Sequence, residues 1–106
     1  MRNVVIFLTF LAFSAAAQGE MLPGDPQEGA ALAQRLCAGC HDVSPGRALN
    51  RVAVAPSFRI VAERPATTSL SLRVFLWTPH ADMPDVMLTP EQVDAVASYI
   101  LSLRER

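Results

Sequence analysis

The chain has 106 residues, with nine arginines and no lysine set against ten acidic residues, for a net charge of −1. That balance lacks the basic footprint of a nucleic-acid binder. Two cysteines and a chain this short restrict it to one domain with a small core, unless something else helps to fill it.

The first segment reads M-R-N-V-V-I-F-L-T-F-L-A-F-S-A-A-A-Q-G-E. Arg2 precedes an apolar run from Val4 to Phe13, and the small residues Ser14, Ala15, Ala16 and Ala17 follow. This is the layout of a secretory signal peptide over residues 1–17, cut between Ala17 and Gln18 or slightly later, after Gly19. The alternative, a retained anchor, is disfavoured because the run falls short of the roughly 18–20 apolar residues that span a bilayer. Removal of the leader takes Arg2 with it and leaves a net charge of −2 on residues 18–106. The overall hydrophobic content of 51% is inflated by the leader and does not indicate an unusually apolar domain.

The next segment, D-P-Q-E-G-A-A-L-A-Q-R-L-C, carries the signals of a helix start. Asp25 is an N-cap, Pro26 takes the first helical position, and Glu28 lies in the first turn. Gly29, Leu32, Ala33 and Leu36 recur on one face, and the helix runs straight into C-A-G-C-H at residues 37–41. Three chemistries use cysteines this close together. A redox disulfide belongs where a strand meets a helix, and no strand precedes Cys37. A structural zinc needs four ligands, and Cys37, Cys40, His41 and the distant His80 make a poor set. Covalent haem attachment uses every residue of the stretch: Cys37 and Cys40 form thioethers with the haem vinyl groups, and His41 ligates the iron from one face. The secretory leader supplies the compartment that this third reading needs.

From Asp42 to Thr67 the sequence promises little beyond a helical turn near Ser57–Ala62, and a loop of that length needs something to wrap. S-L-S-L-R-V-F-L-W then reads as a helix capped by Thr68 or Ser69 and stopped before Pro79. After it comes T-P-H-A-D-M-P-D-V-M-L. Met83, followed by Pro84 in a turn-rich stretch, is the expected second axial ligand. His80 is its rival, and Met87 is read as core or pocket packing. The last helix opens on Thr89, Pro90 and Gln92, a capping box of the T-x-x-Q type. Val93, Val96, Ala97 and Ile100 form its buried stripe, with Tyr99 and Leu103 beside it. Asp94, Ser98 and Ser102 mark its wet side.

Taken with Gly29 eight residues before the first cysteine, Met83-Pro84 and the C-terminal S-Y-I-L-S-L, the C-A-G-C-H motif makes the chain resemble a small bacterial class I cytochrome c, over essentially all of residues 18–106. The resemblance implies an all-α fold, three main helices and a long loop wrapped around one covalently bound haem c. The terminal helices would cross near Gly29, Val96 and Tyr99. It also implies that a proline carbonyl, matched by Pro56 in A-P-S-F, accepts the N–H of His41. The lysine-rich face of mitochondrial relatives is absent, and Trp77, too near Met83 to be matched with the family's buried tryptophan, is read as haem-pocket or core packing.

The function implied is that of a non-enzymatic periplasmic carrier. It would exchange single electrons between a dehydrogenase or respiratory complex and an acceptor, as a monomer with transient redox partners and no membrane span in the mature chain. The alternatives are a haem subunit of a dehydrogenase, or a c-type haem enzyme or gas sensor with an open axial site. Leu70, Phe75 and Leu88 would bury the haem, and Arg47, Asn50, Arg51 and Arg59 would meet its propionates.

Overall fold

The computed structural model describes residues 23–46, 54–78 and 82–104. The leader of residues 1–17, His80, Arg47, Asn50 and Arg51 lie outside the described residues. Four helices occur among those described: α1 (Pro26–Leu36), α2 (Phe58–Glu63), α3 (Ser69–Trp77) and α4 (Pro90–Ser102). The fold is all-α, with α2 supplying the short turn expected inside the long loop.

Each helix starts where side-chain chemistry can satisfy the free N–H groups of its first turn. Asp25 accepts from the Gln27 amide at 2.8 Å ahead of Pro26, and the Ser57 hydroxyl accepts from the Ile60 amide at 3.2 Å. Thr68 and Ser71 form a reciprocal capping box on α3, which settles the cap on Thr68. Thr89 and Gln92 form the box expected on α4.

Helix α4 is the hub: it packs on α1, α2 and α3, most extensively on α1. Its crossing with α1 is set by glycine. A Cβ on Gly29 would lie 2.0 Å from the Ala95 carbonyl oxygen and 2.8 Å from the Tyr99 Cβ. Gly24, which the sequence reading passed over, makes the same kind of contact, with the Asp94 backbone 2.2 Å from a Cβ placed there. Because three elements press on α4, its buried arc is wider than a single stripe. Ser98 was assigned to the wet side, yet it is 3% exposed and its hydroxyl has no hydrogen-bond partner. Leu36 departs in the other direction. The buried face of α1 runs through Gly29, Ala33 and Cys37, and Leu36 beside it is 46% exposed.

Polar ties hold the remaining elements to α4. The Arg73 Nε of α3 donates to Asp94 at 2.5 Å, in a half-buried ion pair. Arg104, just past α4, donates from Nε to the Ala62 carbonyl at 2.9 Å and from an Nη to the Thr67 carbonyl at 2.6 Å, fastening the α2–α3 connection.

Tyr99 donates its hydroxyl to the Val43 carbonyl, and burial, followed by the charge of Asp42, raises its pKa. The folded state therefore keeps a proton that the unfolded chain gives up near pH 10. Fewer protons on the unfolded state make stability fall with rising pH in this range. Tyr99→Phe should flatten that alkaline decline, as read from denaturant midpoints between pH 8 and 11. An equally steep decline in the variant would place its origin elsewhere.

Candidate cofactor site

The motif at residues 37–41 is a single turn appended to α1. Cys37 caps the helix, its N–H on the Ala33 carbonyl, and its own carbonyl accepts from Cys40 at 3.1 Å and from His41 at 2.9 Å. Two cysteines three apart and a histidine four from the first are thereby held by helical hydrogen bonding. Cys37 is buried, and that burial pushes its thiol pKa up, whereas Cys40 is exposed; no disulfide joins the two.

The segment 55–58 runs alongside this turn. Ala55 donates to the Cys40 carbonyl at 3.0 Å and Phe58 to the Asp42 carbonyl at 2.9 Å, one bond on each side of His41. Between them the Pro56 carbonyl lies 2.6 Å from His41 Nδ1. A carbonyl oxygen can only accept, so Nδ1 carries the hydrogen, and in the neutral ring the lone pair is left on Nε2.

Next to His41 opens a cavity of about 800 Å³. Cys40, His41 and Pro56 line it, with Val54, Val61, Leu72 and Phe75 as its main apolar walls and Met83 at the far end of the chain order. Cys40, His41, Pro56 and Met83 are thus brought to one cavity, while Cys37 lies in the adjoining core. The volume is that of a cofactor pocket, about 300–1,000 Å³ by general experience, and so is the chemistry: apolar walls, few polar groups and an oriented imidazole. These residues fit a covalently held haem. Among the described residues no group of three or more His, Cys, Asp or Glu side chains converges to hold a metal ion, so the zinc reading finds no ligand set there.

Several expected wall residues stand elsewhere. Met87 is 84% exposed, since its backbone adopts a φ of 48° that turns it away at the entrance to α4, with its amide held by Asp85 at 2.9 Å. Leu70 is 66% exposed and does not line the cavity, because Ser71, Leu72 and Phe75 form the α3 face that does. Arg59 is engaged with the Pro45 carbonyl and Glu63. The cation on the cavity wall is Arg64, which the sequence reading missed.

The family model for cytochrome c matches residues 26–104. Cytochrome c-552 of Bradyrhizobium diazoefficiens is 39% identical over 104 residues, covering 98% of this chain and 95% of that protein. No solved structure matches. A match that begins at the first residue of α1 and ends beyond α4, in a chain whose motif turn and helices α2 and α3 help to line a cofactor-sized cavity, places it in the cytochrome c family, as a small class I member.

Proposed function

We propose that the chain is an exported one-electron carrier whose haem c is attached through Cys37 and Cys40 and ligated by His41 and Met83. When bound, the group supplies an iron that cycles between Fe(II) and Fe(III). The rest is the work of the chain. Pro56 holds the His41 ring by its Nδ1–H, which fixes the tautomer and makes Nε2 the more basic donor; the 2.6 Å contact is the observation that carries the reading. Met83 offers a soft thioether, which favours the reduced state, and the apolar walls from Val54, Val61, Leu72 and Phe75 disfavour extra positive charge in the same direction. Arg64 provides a cation for the group's carboxylates.

The leader composition of residues 1–17 supports a periplasmic location. No helix among the described residues is long and apolar enough to cross a membrane.

The test is the ferric optical spectrum of wild type beside Met83→Ala. A weak far-red sulfur-to-iron band in wild type, lost in the variant, is the expected result. A band that survives in the variant removes Met83 from the site. Its absence from wild type, together with carbon monoxide binding to the reduced protein, would favour an open-site enzyme or sensor over a carrier.

A further inference from the structure

The hydrogen bond from His41 to Pro56 restrains the imidazole through one atom. A single hydrogen bond tolerates a range of angles, so a second contact narrows the orientation of the ring. The Phe58 ring provides one. Its centroid lies 5.3 Å from that of His41, tilted by 56°, and it also meets the Tyr99 ring at 6.3 Å and 57°. Both separations and tilts fall in the range of favourable edge-to-face pairs.

Phe58 is itself immobilised. It is 4% exposed, and its amide is bonded to the Asp42 carbonyl at 2.9 Å. Tyr99 behind it is anchored through its hydroxyl to the Val43 carbonyl, one residue further along the same strip of backbone. The carbonyls of Asp42 and Val43, which directly follow His41, therefore hold Phe58, whose ring meets that of His41, and Tyr99, whose ring meets that of Phe58.

We propose that Phe58, backed by Tyr99, is a positioning residue that sets the plane of the His41 imidazole, while Pro56 sets its tautomer. The inference rests on His41 serving as an iron ligand. Phe58 then acts on the haem only through His41, and the direction of the imidazole plane is what distinguishes this role from ordinary core packing.

The experiment uses the haem-loaded protein and Phe58→Leu, which keeps an apolar side chain but removes the ring. Two signals are read by NMR: the spread of the haem-methyl resonances in the ferric protein, and solvent exchange of the His41 Nδ1–H in the ferrous protein. The variant is expected to redistribute the methyl shifts and to exchange the Nδ1–H up to about tenfold faster, the scale of one lost aromatic pair. The far-red band should remain. Wild-type methyl shifts and wild-type exchange in the variant, even with a lowered melting temperature, would overturn the proposal and leave Phe58 as core packing.

If Phe58→Leu does not accumulate, Tyr99→Phe keeps every ring and removes one anchor. A smaller change in the same two signals supports the buttress, and none overturns it. Failure of the Met83 assignment would show as a missing far-red band in wild type. The Nδ1–H exchange does not depend on Met83 and decides the role of Phe58 in that case too.

Discussion

Gly29→Ala should lower the thermal midpoint of the haem-loaded protein by about 12–24 °C, corresponding to a loss of about 3 kcal/mol in a domain of this size. The added methyl group would stand 2.0 Å from the Ala95 carbonyl oxygen and 2.5 Å from the Ala95 carbonyl carbon. Both are backbone atoms inside α4, so no side chain can rotate aside. The two helices must separate or slide, and α1·α4 is the principal packing contact of the fold. Separation also displaces the turn at Cys37–His41, which is the continuation of α1. Gly39→Ala is the matched control, because nothing lies within 4 Å of a Cβ there. It should stay within about 0.5 kcal/mol of wild type. A Gly29→Ala protein that melts with wild type would mean that α1 and α4 do not approach as closely as described.

The second large effect is expected on leaving the haem out. Produced without covalent attachment, the wild-type chain should lose most of its helical signal and show no cooperative unfolding transition. Among the described residues its core holds only six large side chains, Leu32, Phe58, Leu72, Tyr99, Ile100 and Leu103, and is otherwise built from valines, alanines and Cys37. A core of that composition buries little apolar area to set against the ordering of the chain. Helices α2 and α3 have six and nine residues, below the roughly 12–15 at which an isolated helix becomes even marginal. Their inner faces, through Val61, Leu72 and Phe75, line the cavity of about 800 Å³ and would be left against water. Only the α1–α4 pair has enough protein contact to persist, as a fluctuating hairpin of helices. A haem-free chain that resists protease and unfolds cooperatively would refute this, and would move the stability into protein contacts alone.

The two expectations share one cause. In so small a domain the packing of the other helices on α4, α1 foremost, and the filling of the cavity are the two main sources of buried area. Neither can be weakened without exposing the other, because Cys37 belongs to the core cluster while Cys40 and His41 belong to the cavity wall. The turn between them is the hinge of both.

Much of this was legible in the chain itself, for reasons that are local. The starts of α1 and α4 follow from Asp25-Pro26 and Thr89-Pro90-x-Gln92, since an N-cap bonds within three residues of itself. The grouping of Cys37, Cys40 and His41 follows from helical spacing, and Gly29 could be singled out because its neighbours form an apolar face. Pro56 and Met83 were nameable as partners of His41 only through likeness to a family, because 15 and 42 residues separate them from it along the chain.

What only the tertiary structure decided concerns which way a side chain faces when several elements compete for it. Ser98 is buried because α4 is pressed from three sides, and Leu36 is exposed because the buried face of α1 runs through Gly29, Ala33 and Cys37 instead. Met87 is turned outward by a left-handed backbone at its own position. Gly24 and Arg64 carry no signal in their neighbours: one is set by the backbone of α4 and the other by the edge of the cavity. Capping and periodicity are written in adjacent residues and can be read there. Burial at a crossing and the walls of a cavity depend on residues brought together from distant parts of the chain, and they exist only once it has folded.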